Sequence, residues 1–176
     1  IVNGPHDCFV FLTASKANNR EGFPLCARTV DGGKTWSLVG KIAPEPSGYA
    51  IMPSTVRLSG EGFLSAIRYR DAKSSWIDAF YSPDNGVHWE KRSSPAPDLG
   101  EGNPAAMLKL ADGRVCITYG VRKPPFGMSA RFSRDEGKTW TKEVVLRDDG
   151  GGRDLGYPRS VQRADGKVVT AYYFND

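Results

Sequence analysis

An all-β fold of four-stranded antiparallel blades, a β-propeller, is what this sequence predicts, and three observations carry the prediction. Glycine and proline number 20 and 12 in 176 residues, beside 8 Phe, 7 Tyr and 4 Trp. Many turn formers together with many large strand formers describe a β-rich globular chain. A short motif occurs three times: Thr29-Val-Asp31-Gly-Gly33-Lys-Thr-Trp36, Ser82-Pro-Asp84-Asn-Gly86-Val-His-Trp89 and Ser133-Arg-Asp135-Glu-Gly137-Lys-Thr-Trp140, with aspartates 53 and 51 residues apart. A second marker, a proline opening a strand-like stretch that ends in a turn, recurs at Pro53, Pro104 and Pro158 with spacings of 51 and 54. Two unrelated markers in step at a period of about 50 residues are the signature of repeated blades.

One unit parses on residues 104–147. Ala105–Leu110 is a first strand, Asp112-Gly113 a tight turn and Arg114–Tyr119 a second strand rich in β formers. Lys123-Pro124-Pro125 breaks the chain into a loop. Met128–Phe132 is a third strand, the box 133–140 the next turn, and Val144–Arg147 a fourth. The same parse fits 53–95. The ends hold less: Cys8–Thr13, Pro24–Arg28 and Ser37–Ile42 form three strands with no first strand ahead of them, and residues 158–174 hold two. The chain thus divides into an incomplete blade (1–44), two whole blades (45–95 and 96–147) and a second incomplete one (148–176). Thirteen strands make little more than three blades, whereas rings close with about four to eight. An open fan leaves edges exposed, so the expectation is a part of a larger ring, or a protomer that self-associates to complete one.

Composition narrows the partners. Lys and Arg exceed Asp and Glu by 24 to 20, spread along the chain without a basic block, so nucleic acid is not implied. No apolar run approaches the roughly 18 residues of a membrane span. The three cysteines (Cys8, Cys26, Cys116) lack a CxxC spacing and read as reduced core thiols rather than a zinc site. The loop Asp148-Asp149-Gly-Gly-Gly-Arg-Asp154 lacks the alternating ligands of a calcium loop, and no cofactor is expected.

The boxes have a structural logic: Ser or Thr hydroxyls and Asp carboxylates accept turn N–H groups, and the third-position glycine allows positive φ. They and the turns at Gly60, Gly113 and Gly166 share one face of the fan. Function is therefore expected on the opposite face, near the axis, on loops 69–76, 97–104, 120–127 and 149–158. Arg70, Arg122 and Arg159, from three successive blades, suit an anionic sugar, because a guanidinium matches a carboxylate bidentately. Tyr157, at the mouth of an innermost strand, is a candidate nucleophile, since a neutral nucleophile is not repelled by an anionic sugar. Glu101 and Asp154 are candidate bases, and Asn103 and Asp154 join the arginines in the expected substrate-binding set.

The three boxes are the Asp-box (BNR) repeats found in sialidases, and the whole chain resembles the bacterial sialidase-like BNR family. The stretch RKPPFGMSARFSRDEGKTWTKEVVLRDDGGGRDLGYPRSVQRADGKVVTAYYF (122–174) is especially similar to that family's C-terminal half. The resemblance implies a six-bladed ring, an exo-sialidase-type glycoside hydrolase acting on terminal acidic sugars, an arginine triad on the substrate carboxylate and a Tyr/Glu nucleophile pair. Tyr157 is similar to the nucleophile, and Arg70 and Arg122 resemble triad members. The Glu partner is expected just before Pro104, where this chain has Asn103, with Glu101 two residues away. Two rival readings remain: a lyase or hydrolase of uronic-acid glycans on the same scaffold, and a glycan-binding propeller without catalysis.

Overall fold

A computed structural model describes residues 1–17 and 22–175. Its described residues form thirteen strands and no helix. The first sheet contains β1 (Cys8–Ala14), β2 (Phe23–Thr29) and β3 (Ser37–Lys41). The second contains β4 (Tyr49–Arg57), β5 (Phe63–Arg70), β6 (Ser75–Ser82) and β7 (Glu90–Ala96). The third contains β8 (Ala105–Lys109), β9 (Val115–Val121), β10 (Phe126–Ser133) and β11 (Val144–Gly150). The last contains β12 (Gly156–Gln162) and β13 (Val168–Tyr173). Every pairing is antiparallel between strands adjacent in sequence. Among the described residues no helix is long and apolar enough to cross a membrane.

Strand identities follow the sequence parse, and strand ends differ. β9 runs on to Val121 and β10 starts at Phe126, because the 122–125 break is only a short hairpin connection with register Gly127↔Val121. Ahead of β1, Ile1 and Phe9 exchange two backbone hydrogen bonds of 2.8 Å each. Val2 bridges Cys8, so two residues lie beside β1 where a first strand would run. Successive sheets meet at β4 against β1, β8 against β4 and β12 against β8, and among the described residues the succession is not closed.

The core lies between sheets. Phe9, Cys26, Ile42, Phe63, Ile67 and Phe80 pack the first against the second. Leu64, Ile77, Leu99, Met107, Ile117 and Tyr119 pack the second against the third. β5 and β9, covered on both faces, are buried almost throughout. A strand covered on both faces needs apolar side chains at odd and even positions alike, which is how Phe63–Ile67 and Val115–Ile117 read.

The boxes supply the joints. In each, the Ser or Thr hydroxyl donates to the Asp (2.8, 3.0 and 2.8 Å at Thr29, Ser82 and Ser133) and accepts the glycine N–H (2.9, 2.9 and 2.8 Å). The carboxylate then accepts the backbone N–H of Thr35, His88 or Thr139. At His88 the ring Nδ1 replaces the threonine hydroxyl at 2.6 Å from Asp84, on the surface. Gly86 and Gly137 sit at φ +88° and +84°, against Cys26 and Leu64 of the preceding sheet. Trp140 donates to Ser93 Oγ of β7 at 3.0 Å. Among the described residues no sheet packs on the first box, and Trp36 is exposed.

Two outcomes are expected. Gly137→Ala places a Cβ 2.7 Å from Leu64 Cδ2 at a positive φ, so its denaturation midpoint falls by the equivalent of about 1–3 kcal/mol. The Thr35 hydroxyl and N–H hold the Asp31 carboxyl at about 2. Burial alone would raise that of Asp135, but the hydrogen bonds from Thr139 and Ser133 outweigh it and hold it at about 2 as well. Folded values below the ordinary 3.8 mean that this stabilisation is complete above pH 4 and lost as pH falls toward 2. Thermal melting between pH 4.5 and 2 should fall less steeply for Asp135→Asn than for the wild type.

Candidate functional site

The face opposite the boxes holds a cavity of 420 Å³ at the inner strands, walled by β1, β4, β8 and β12. Tyr157, Arg159 and Ser160 of β12 line it, opposite Thr13 and Met52. Its position follows from the repeated prolines. Pro cannot donate to the ladder, and register shifts fall at Met52-Pro53 in β4 and Tyr157-Pro158 in β12. At both bulges the residue before proline is left-handed, with φ of 55° at Met52 and 50° at Tyr157. Bulges next to cavities re-aim side chains, and a non-glycine residue at such a φ persists only when its surroundings hold it.

Asn103 does the holding at Tyr157. Its side chain is fully buried. Nδ2 donates to Leu155 O at 2.7 Å, and Oδ1 accepts the Tyr157 N–H at 3.0 Å. Glycines make room for this amide: a Cβ on Gly156 would stand 1.9 Å from Nδ2, and one on Gly120 2.7 Å from it. Arg122, just past β9, binds the same Leu155 carbonyl through Nε (3.0 Å) and Nη2 (2.9 Å). Nη2 also donates to Tyr173 Oη at 2.6 Å, and the guanidinium lies 5.8 Å from the Tyr157 ring centroid. Tyr173 in turn donates to Asp154 at 2.9 Å, and its ring packs 5.8 Å from that of Tyr157.

The structure joins Asn103, Arg122, Asp154 and Tyr157 into one cluster. Glu101 is ion-paired with Arg153 and has no hydrogen bond to Tyr157. Asn103 has both amide atoms on backbone and clamps Leu155 and Tyr157. Arg122 spends Nε and Nη2 inside the protein, on a carbonyl whose partial charge attracts it. Arg159 lines the cavity, with Nη1 on Pro158 O at 2.9 Å. Arg70 ends β5, exposed, and no hydrogen bond or ion pair ties it to the cluster. Sequence reasoning did not assign Tyr173 or Met52. The available signal was positional, since Met52, Asn103 and Tyr157 each precede a repeated proline.

Two other buried tyrosines are unsuited to nucleophilic work. Burial pushes the phenols of Tyr69 and Tyr119 upward, with Asp78 adding to the effect at the first and Glu143 at the second. Tyr157, 40% exposed, faces the cavity instead. Replacing Asn103 by Ala leaves the Tyr157 N–H without its acceptor and the Leu155 carbonyl with Arg122 alone, an expected loss of about 1–3 kcal/mol in chemical denaturation. Gly156→Ala, which has no room at all, should not give a soluble native fold.

The family of BNR repeat-like domains matches residues 10–170. No curated protein sequence matches the chain. Among solved structures, a Dyadobacter fermentans protein of unknown function is 28% identical with a TM-score of 0.78, over 96% of this chain and 46% of that one. A Fusarium graminearum α-L-arabinofuranosidase bound to an iminosugar inhibitor is 16% identical with a TM-score of 0.71, over 96% and 53%. A Hadza microbial sialidase is 17% identical with a TM-score of 0.61, over 94% and 37%. The chain spans about half the length, or less, of these structures.

Proposed function

Because the chain belongs to the family of BNR repeat-like domains, we propose that its axial cavity takes the terminal sugar of a glycan, as part of a glycoside hydrolase of the exo-sialidase type. The observation that carries this reading is Tyr157, held left-handed at the cavity wall by a fully buried asparagine. Strain stored at the mouth of a cavity is the mark of a residue placed for chemistry. The Tyr157 oxygen attacks the anomeric carbon as its proton passes to a carboxylate, the glycosidic oxygen leaves as the protonated alcohol with a proton from water, and water then hydrolyses the glycosyl-tyrosine intermediate and restores the phenol. Asp154, tied to the cluster through Tyr173, and Glu101 are the candidate carboxylates of the pair. Arg159 is the guanidinium that faces an acidic sugar. The glycoside hydrolases among the structural neighbours support the reaction class, and uronides and arabinofuranosides belong in the same substrate panel. Completion of the ring, by a longer chain or by a second copy, belongs to this proposal.

The pairing of Glu101 with Arg153 favours a second reading, in which the cavity binds glycans without turning them over. Turnover of aryl sialosides, uronides and arabinofuranosides by wild type and Tyr157→Phe separates the two. The first reading expects kcat/KM on the preferred substrate to fall about a thousandfold with binding retained. Full activity in the variant removes Tyr157 from the mechanism, and binding with no wild-type turnover selects the second reading.

A further inference from the structure

The chain has three methionines, and solvent reaches one of them freely. Met52 is 38% exposed, against 8% at Met107 and none at Met128. Its backbone is pinned at the bulge of β4: φ is 55°, and its N–H donates to Thr13 Oγ1 of β1 at 3.1 Å. The thioether therefore stays where the bulge aims it, on the cavity wall. Behind it stands Arg68, which pairs with Ile51 across β4 and β5 and donates from Nη1 to Met52 Sδ at 3.8 Å.

That sulfur is a poor partner for what it meets. Arg68 is 8% exposed, has no carboxylate within salt-bridge distance among the described residues, and its Nε is buried without a hydrogen-bond partner. A thioether is a weak acceptor, so a shielded guanidinium is left poorly satisfied, which is costly. We propose that Met52 is a site of oxidation by peroxides, and that its sulfoxide oxygen is the strong acceptor Arg68 lacks. In this step the sulfur lone pair attacks the outer oxygen of a hydroperoxide, the S–O bond forms and the O–O bond breaks. Sulfur gives up two electrons, the peroxide gains them, and its proton leaves with the other oxygen as water or an alcohol. The new oxygen stands within reach of a fixed charged donor, and hydrogen bonds of that kind are about twice as strong as neutral ones. Elsewhere sulfoxidation disrupts apolar packing; at Met52 it satisfies a buried charge. Two of the thiols compete little, because burial pushes Cys26 and Cys116 up to about 11 and leaves scant thiolate. The inference holds whatever the cavity binds.

Hydrogen peroxide on the folded protein, followed by peptide mapping in a mass spectrometer, tests the site. Met52 should take up one oxygen about tenfold faster than Met107 or Met128; equal rates overturn the proposal. The species oxidised at Met52 alone is then isolated by chromatography, and its melting temperature is compared with that of the untreated protein, for wild type and for Arg68→Leu. Oxidation should raise the wild-type value and lower that of Arg68→Leu. A shift more favourable in wild type than in the variant supports the bond between sulfoxide and guanidinium, and an equal or less favourable one overturns it. Where Arg68→Leu does not fold, Met52→Gln and Met52→Leu make the same comparison, because the amide oxygen of Gln offers Arg68 an acceptor that Leu lacks. Met52→Gln should melt above Met52→Leu, and the reverse order overturns the proposal.

Discussion

The box turn is the constraint on which the rest of this protein depends. Its serine or threonine and its aspartate satisfy the turn's own N–H groups, so the connection between third and fourth strands needs no support from outside. That self-sufficiency frees the glycine to press its backbone against the sheet before it, Gly86 on Cys26 and Gly137 on Leu64. Ser93 Oγ then donates to Gly137 O at 2.6 Å while receiving the Trp140 indole. Spacing between sheets is set by these contacts, and with it the position of the inner strands that wall the cavity.

A second physical theme is the use of proline at the inner ladder. At Pro53 and Pro158 a donor is removed, the strand bulges and the preceding residue turns left-handed, while Pro104 stands just ahead of β8. The three sheets then diverge by side chain. Met52 leans a thioether on a guanidinium, Asn103 turns its amide back onto the neighbouring sheet, and Tyr157 faces the cavity. Asn103 of one sheet thereby fixes the backbone of the next, across more than 50 residues of chain.

Charge is placed with the same economy. Arg122 hydrogen-bonds a buried carbonyl and a tyrosine hydroxyl, while Arg153 and Glu101 pair with each other. Arg159 lines the cavity with Nη1 on the Pro158 carbonyl, and Arg70 ends β5 exposed.

Much of this was legible in the residues themselves. The period, the thirteen strands, the box turns and the placement of Tyr157 at the mouth of an inner strand all follow from local chemistry, because a turn that closes its own hydrogen bonds looks the same wherever it stands. The repeated prolines marked the inner strands, and only the register showed that two of them, Pro53 and Pro158, sit at bulges. The partners of Glu101, Asn103, Arg122 and Arg68 were decided by tertiary structure alone. Each is a polar side chain whose role depends on which carbonyl, carboxylate or sulfur another sheet brings within 3 or 4 Å, and strand alternation says which way a side chain points, not what meets it there.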